Sequence, residues 1–367
     1  VQFKNLNFTP GTKMFIYNNF GTMLSGPITE NVIYESKYSS DIIDGDHIIV
    51  SIFIPKKEFQ DFNVEIKSIA YGFDNIYNGS SGRNYDDSGT CTIDVNCGQG
   101  FGFEAERDAV GLMIVDGERH CSGALINRTC QDMVPLFLTA NHCIVNNDDD
   151  FDEYVYRFNY DSPDPTDLNN CRGSEPESWI TFSGSFLRAS WSTSDFALLE
   201  LWGNVIGRPT LAMAGWDRND YSPFETASIH NPSGDVKKIS IDDDQAVIDG
   251  WQGSGTDHLR VSWDEGITEG GSSGAPLFDY FSHRIVGQLH GGTSFCSTPT
   301  DPDYYGRVFN SYTGGGTSST RLSDWLGAST STNTDRPPHI TGASYICSSN
   351  TTLSLNNLAR LKQLHGQ

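Results

Sequence analysis

No Cys-x-x-Cys pair occurs among the eight cysteines of this 367-residue chain, so the usual spacing of a structural zinc site is missing. Cysteine is absent altogether from residues 1–82. No apolar run approaches the roughly 18 residues that a helical membrane span requires. Positive charge is scarce: 24 Lys and Arg stand against 47 Asp and Glu, a formal net charge of −23. That balance argues against nucleic acid or an anionic membrane as partner, since a phosphate backbone would be repelled. There is no internal repeat and no phosphate-cradling glycine loop in a strand–helix context. The acidic clusters Asp148–Asp150 with Asp152, and Asp242–Asp244, lack the spacing and glycine of an EF-hand loop and read as solvated loop faces. The chain starts at Val1 with no leader-like segment, so it reads as a processed or truncated product.

What is present points to β-structure. Thirty-seven glycines, 15 prolines and many short Val/Ile/Phe/Tyr runs favour an all-β protein. Cysteines at 91, 97, 121, 130, 143, 171, 296 and 347 are even in number and spread over loops. They suggest disulfides and an oxidising, secreted setting, although sequence alone allows 105 pairings of eight cysteines.

Three regions follow. Residues 1–83 carry alternating segments at Val32–Tyr34, His47–Ile54 and Asn63–Tyr71, and a Gly/Ser/Asp-rich linker runs from Asn78 to Gly89. Residues 84–328 form a strand-dense body. Its strand candidates include Val110–Val115, Val134–Thr139, Tyr154–Tyr160, Phe196–Leu201, His258–Trp263, Arg284–Leu289 and Gly306–Tyr312, with one helix at Arg321–Leu326. Residues 329–367 read as a linker and the truncated start of a β-sandwich-like module.

The chemistry lies in the body. Leu-Phe-Leu-Thr ends at Thr139 and is followed by Ala-Asn-His-Cys, which puts His142 beside Cys143. Asp195 opens the apolar run Phe196-Ala197-Leu198-Leu199, and Ser273 sits in the turn Gly271-Ser272-Ser273-Gly274. Serine is a weak nucleophile that needs a positioned base, and the base needs an orienting carboxylate. The order His…Asp…Ser belongs to the chymotrypsin-type double barrel rather than to subtilisins or α/β-hydrolases. Glycines around Ser273 let the Gly271 and Ser273 amides point at a developing oxyanion. The chain therefore reads as a serine endopeptidase that needs no metal or organic cofactor. A catalytically silent binding module on the same scaffold is the alternative from another class.

With these residues in view, positions 88–326 resemble the bacterial lysyl endopeptidase family of chymotrypsin-like proteases. The resemblance is carried by Ser-Gly-Thr-Cys-Thr-Ile-Asp-Val-Asn-Cys at 88–97, Phe-Leu-Thr-Ala-Asn-His-Cys at 137–143 and Ser-Asp-Phe-Ala-Leu-Leu-Glu-Leu at 194–201. It continues with Ala-Gly-Trp-Asp-Arg at 214–218, Gly-Ser-Ser-Gly-Ala-Pro at 271–276, Gly-Gln-Leu-His-Gly-Gly at 287–292, Tyr-Gly-Arg-Val-Phe at 305–309 and Arg-Leu-Ser-Asp-Trp-Leu at 321–326.

The resemblance implies a double six-stranded β-barrel with a short C-terminal helix, and disulfides Cys91–Cys296, Cys97–Cys171 and Cys121–Cys143. Cys130 and Cys347 are extra to that pattern and either pair or stay free. Trypsin-like enzymes carry their charged pocket residue six positions before the nucleophile, where Ile267 stands here; the family instead implies Asp303 as the group that reads a lysine, with Asp301 and Glu269 as competitors. It further implies that His290 and Trp216 stack near the catalytic histidine and that Gly291 and Gly292 line the substrate cleft. Ser272 replaces the aspartate that trypsin-like zymogens pair with a new amino terminus, so that route of activation is excluded. Ala275 is a modest departure from the family. Residues 1–83 resemble the end of the family's pro-region, which would chaperone the barrel or cover the cleft, with cleavage expected after Arg83; a permanent accessory β-domain is the alternative. The expected partners are protein or peptide substrates with lysine at the cleaved bond, or Arg, or both, and a monomer is the expected state.

Overall fold

The structure is a computed structural model that describes residues 1–327 except 58, 60, 71–86, 118, 131, 145–150, 164–175, 177, 207 and 209. Cys171, Cys347 and the 329–367 region named above lie outside the described residues, as does Arg83.

Residues 1–70 hold two small antiparallel sheets built from β1 (Gln2–Asn7), β2 (Lys13–Asn18), β3 (Leu24–Ile28), β4 (Tyr38–Ser39), β5 (Ile48–Phe53) and β6 (Asn63–Ser68), in the orders β4-β1-β6 and β3-β2-β5. Phe3, Leu6, Met14, Ile16, Ile28 and Tyr38 make a core of their own between them. Val32–Tyr34, expected as a strand, is a turn region with a single bridge from Tyr34 to Lys37; three residues are too few to hold a ladder.

The body contains two larger antiparallel sheets. After β7 (Ile93–Asp94) and the short helix α1 (Glu104–Ala109) come β8 (Val110–Val115), β9 (Arg119–Leu125), β10 (Leu136–Ala140), β11 (Val155–Phe158), β12 (Ile180–Ser183), β13 (Ser185–Trp191) and β14 (Phe196–Leu201). These seven pair in the order β12-β11-β8-β9-β10-β14-β13. The second sheet uses β15 (Thr226–His230), β16 (Lys238–Asp242), β17 (Val247–Asp249), β18 (His258–Val261), β19 (Pro276–Asp279), β20 (Ile285–Gly292) and β21 (Asp303–Arg307), in the order β17-β18-β21-β20-β19-β15-β16-β7. The architecture is chymotrypsin-like and all-β, but the sheets have seven and eight strands rather than six each. In the second sheet the surplus includes β7, which pairs with β16 through Lys238 and Ile239 and so ties the amino end of the body to it.

The sequence explains which strands are central. β8 reads Val-Gly-Leu-Met-Ile-Val and β14 reads Phe-Ala-Leu-Leu-Glu-Leu, and every residue of both is buried. Continuous apolar runs mean both faces are covered, in contrast to the alternation of a half-exposed strand. Phe196 and Leu198 of β14 enter a core shared with the second sheet, where they join Ala227, Ile229, Phe278 and Ile285. Leu199 and Leu201 point instead into the first sheet's interior, with Phe137, Tyr156 and Phe158. Burial of one such Leu or Phe side chain is worth about 1.5–3 kcal/mol, so the shared core is a major reason the two sheets hold one orientation.

Gly306–Tyr312 does not continue as a strand. β21 ends at Arg307 and helix α2 (Val308–Thr313) follows, then α3 (Ser323–Leu326). Val308, Ser311 and Tyr312 are buried at helical spacing, and the Ser311 hydroxyl donates back to the Arg307 carbonyl at 3.0 Å. The helix covers the shared core together with Leu322 and Leu326.

Candidate active site

His142 lies in a helical turn, Asn141–Cys143, immediately after β10, and Asp195 lies at the head of β14. Those two strands are direct neighbours, with Ala140 opposite Phe196. The pairing register therefore delivers the base and its carboxylate to the same end of the sheet. Asp195 Oδ2 is 2.7 Å from His142 Nδ1, and Asp195 Oδ1 accepts the His142 backbone N–H at 2.9 Å. A carboxylate can only accept, so Nδ1 carries the proton and Nε2 is left as the basic nitrogen.

Asp195 has φ +52°, in the left-handed region. Asp tolerates this region better than most residues, at some cost. The position is held by three contacts: the two from His142 and the Asp195 carbonyl, which accepts from Asn141 N–H at 2.7 Å.

Ser273 is half-buried in the turn before β19. Its carbonyl accepts from Ser122 N–H at 2.8 Å and lies 3.7 Å from Cys143 Sγ, next to His142 in the chain. Gly274, at φ +83°, presses on β10: a Cβ there would stand 2.2 Å from Thr139 Oγ1 and 2.5 Å from the Ser122 carbonyl. Only glycine permits this approach, and it draws the serine turn toward the histidine turn. Among the described residues no hydrogen bond joins the Ser273 hydroxyl to the imidazole, a contact that commonly tightens only when substrate closes the site. The Gly271 and Ser273 N–H groups likewise have no hydrogen-bond partner among the described residues, as oxyanion donors require.

The turn is fastened from beneath. Buried Ser272 meets His230 Nδ1 at 2.8 Å and accepts from Glu269 N–H at 3.1 Å, while His230 Nε2 meets Ser240 Oγ at 3.1 Å. Ser122 Oγ donates to the Gly271 carbonyl at 2.9 Å. Burial, with the nearby Lys238 charge, drives the His230 pKa down to about 3, so this imidazole is a neutral brace. The unfolded chain binds a proton on His230 near pH 6.5 and the folded chain does not until about pH 3. Stability from this residue is thus complete above pH 6.5 and lost as pH falls through that window, by up to about 1.4 kcal/mol per pH unit. Urea unfolding at pH 7 and pH 4.5 checks the slope, which His230→Gln is expected to flatten.

His290 adjoins the pair, with Nε2 3.8 Å from Asp195 Oδ2 and its ring 5.7 Å from that of His142. Asp257 accepts from His258 Nδ1 at 2.6 Å, so His258 Nε2 accepts in turn from His290 Nδ1 at 2.9 Å. Burial is the main cause that takes the His290 pKa down to about 4; the Asp195 carboxylate opposes it. His142, Asp195 and His290 also bring one potential ligand atom each within 4.8 Å of one another. The 2.7 Å Nδ1–Oδ2 separation is that of a hydrogen bond, whereas His290 at 3.8 Å stands beyond hydrogen-bond reach of Asp195.

Trp251, not Trp216, stacks on His290, at 3.6 Å between centroids and 12° between planes. Trp216 is fully buried in the shared core against Tyr312, and its Nε1 donates to the Asn127 carbonyl at 2.7 Å. The expected cleft role of Trp216 is therefore corrected: Ala214 bridges Ile126 after β9, Trp216 bridges Ile285 at the start of β20, and the indole is buried in the core between the two sheets. Trp251, followed by Gln252-Gly253, offered no pattern by which to find it.

Asp303 is 1% exposed at the start of β21. Its Oδ2 accepts from Trp263 Nε1 (2.7 Å), Thr268 Oγ1 (2.7 Å) and Ser294 Oγ (2.8 Å), while Oδ1 has only a long 3.4 Å contact from Ser294 N–H. Burial pushes the carboxyl pKa up, and the three hydroxyl and indole donors counter it. Gly292 pairs with Asp303, and a Cβ on it would stand 2.0 Å from Asp303 Oδ1; Gly291 faces Trp251. Glu269 is occupied elsewhere, accepting the Gly89 N–H on both oxygens at 3.2 and 3.0 Å, and Asp301 is an exposed turn residue. Fully buried Ile267 gives its carbonyl to Ser240 Oγ.

Disulfides clamp both ends of the site. Cys121–Cys143 joins β9 to the His142 turn, and Cys91–Cys296 joins the amino end of the body to the loop carrying Ser294. Cys97 and Cys130 are disulfide-bonded as well, with Cys171 and Cys347 outside the described residues. Replacing Cys121 and Cys143 together by Ala is expected to lower stability by about 2–4 kcal/mol, read by thermal unfolding. Loosening the histidine turn is expected to lower kcat by about tenfold with little change in KM.

A sequence profile described as "Lysyl endopeptidase, C-terminal domain" matches residues 85–306. A curated lysyl endopeptidase from Pseudomonas aeruginosa is 27% identical over 292 residues, covering 73% of this chain and 60% of that protein. Among solved structures, the thermostable serine protease AL20 from an extremophilic microorganism aligns at 15% identity with a TM-score of 0.37, covering 55% of this chain and 92% of that one. The human heparin binding protein aligns at 17% identity with a TM-score of 0.38, covering 56% and 88% respectively. The profile covers more than half of the sequence, and the chain belongs to the lysyl endopeptidase family.

Proposed function

We propose that the chain is a secreted serine endopeptidase that hydrolyses peptide bonds on the carboxyl side of lysine. The observation that carries this reading is the Asp195–His142 pair at 2.7 Å beside the Ser273 turn. In the proposed cycle His142 Nε2 takes the proton of the Ser273 hydroxyl as its oxygen attacks the scissile carbonyl. The Gly271 and Ser273 N–H groups stabilise the oxyanion, and His142 returns the proton to the leaving amine. Water then enters by the same route in reverse and frees the acyl group. Asp195 holds the imidazole tautomer and stabilises its cation throughout.

Asp303 supports lysine as the residue read. Its Oδ2 is saturated by three donors, leaving Oδ1 to face a substrate charge. A single oxygen with only one long backbone contact suits a compact ammonium, whereas a guanidinium is best matched by a bidentate carboxylate. The disulfides and the family fit an extracellular setting. Labelling by a fluorophosphonate tests the hydrolase reading: a stoichiometric adduct on Ser273 is expected, and an unlabelled protein would favour the silent binding module. Paired Lys and Arg peptides then test specificity.

A further inference from the structure

Residues 1–70 touch the body along one face of the first sheet, and the centre of that contact is a buried ion pair. Arg157 on β11 reaches both carboxylate oxygens of Asp41 through Nε at 2.8 and 3.0 Å, and its outer nitrogen is 2.7 Å from Oδ1. Trp179 Nε1 (2.7 Å) and Thr181 Oγ1 (3.0 Å) donate to the other oxygen. Asp41 and Arg157 are 7% and 5% exposed. Burial alone would raise the Asp41 pKa, but the Arg157 charge and the bonds from Arg157, Trp179 and Ile42 outweigh it and hold the carboxyl below its usual range.

An apolar and polar collar surrounds the pair. Ile42 packs into the cluster of Leu112, Ile114, Val155, Tyr160 and Val236, which is why β8 is buried on its outer face as well. The Tyr34 ring meets Phe186 at 5.1 Å and Trp202 at 4.8 Å. Buried Ser39 N–H donates to Ser183 Oγ at 2.7 Å, and at the rim Lys37 pairs with Asp152 at 2.8 Å and Lys67 pairs with Glu153. A desolvated charge pair ringed by aromatic and aliphatic contacts is the anatomy of a strong binding focus. None of these partners is His142, Asp195, Ser273 or Asp303. Each contact lies between residues on opposite sides of the 71–86 stretch, so none needs that stretch to be continuous.

We propose that residues 1–70 are a lobe that stays docked on the first sheet through the Asp41–Arg157 pair when the 71–86 connection is cut, and that the enzyme works as this two-piece protein with its cleft uncovered. The second clause rests on the serine protease reading; the first does not.

The test uses the full chain with a site-specific protease sequence placed within 71–86, in a Ser273→Ala background that prevents self-cleavage. After cutting, size-exclusion chromatography at about 1 µM in 0.15 M NaCl is expected to show the pieces co-eluting, and 1 M NaCl is expected to leave them together because the central pair is buried. A lobe that elutes alone at 0.15 M NaCl overturns the proposal. Asp41→Ala in the cut protein is expected to weaken docking at least 100-fold, and Asp41→Asn less. Undiminished docking by both overturns the anchor. Should Asp41→Ala fail to fold, Lys37→Ala with Lys67→Ala provides the second variant, expected to change docking by less than tenfold at the rim; complete release would place the anchor there instead and overturn the assignment. Cut protein with Ser273 intact is expected to take up fluorophosphonate while the lobe remains bound. Labelling only after the lobe is stripped overturns the second clause. No labelling in either state overturns the protease reading and that clause with it, and elution alone then decides the docking.

Discussion

Asp303→Asn is expected to lower kcat/KM for lysyl peptides by about 10³-fold or more while the fluorophosphonate labelling rate changes by less than a few-fold. The substrate ammonium would enter a pocket whose counter-charge is gone; with the amide oxygen kept on Trp263, Thr268 and Ser294, the N–H₂ group would stand at the Oδ1 position and face the ammonium, donor against donor. Sites built to pair a buried polar group reject the unpaired case by large factors, because desolvation is left uncompensated. A norleucyl peptide, which brings no charge, is expected to lose little. The same logic gives a pH signature. Burial raises the Asp303 pKa, so the carboxyl gains its proton at a higher pH than an ordinary aspartate. As pH falls, preference for lysine over norleucine is therefore expected to erode at a higher pH than an ordinary aspartate would give. Lysine cleavage left intact by Asp303→Asn would remove Asp303 from the pocket assignment.

The second large effect is at the triad. Ser273→Ala is expected to abolish labelling and to lower kcat by about 10⁶-fold, and adding His142→Ala to it is expected to cost almost nothing more, because the two act as one unit. Asp195→Asn separates chemistry from structure. Asparagine also accepts a left-handed backbone, so the turn at φ +52° should survive. The amide offers N–H toward His142 Nδ1, selects the wrong tautomer and is expected to lower kcat by about 10⁴-fold. Asp195→Ala is expected to add a fold penalty of about 1 kcal/mol or more, since alanine at positive φ is strained. Calorimetry beside single-turnover kinetics distinguishes the two substitutions. Similar melting temperatures for Asn and Ala would remove the argument that backbone conformation at 195 matters.

The residues proposed as catalytic could be named from the sequence because each sits in a short local pattern. His142 follows an apolar strand, Asp195 opens another, and Ser273 lies between glycines. β8 and β14 match their expected bounds for a similar reason: uninterrupted apolar runs leave little choice of structure. Side chains that act through distant partners left no such trace. The braces His230 and His258 and the Asp303 donors Trp263, Thr268 and Ser294 are each unremarkable in their own neighbourhoods. Trp216 packs in the core and Trp251 stacks on His290, because a tryptophan in sequence says nothing about which way its strand turns. At 306–312 an alternating Gly-Arg-Val-Phe-Asn-Ser-Tyr looked like strand, yet Val308, Ser311 and Tyr312 already carried the spacing of a helix that closes a core.

The neutral brace under the serine turn has a biological corollary. Trypsin-like zymogens wait for a freshly severed terminus to complete their machinery, whereas Ser272, His230 and Ser240 are internal from the outset. On the serine endopeptidase reading proposed above, a catalyst braced in this way would have no terminus-driven fuse to light, and compartment, timing of export or something lodged in the cleft would have to keep it from digesting its maker.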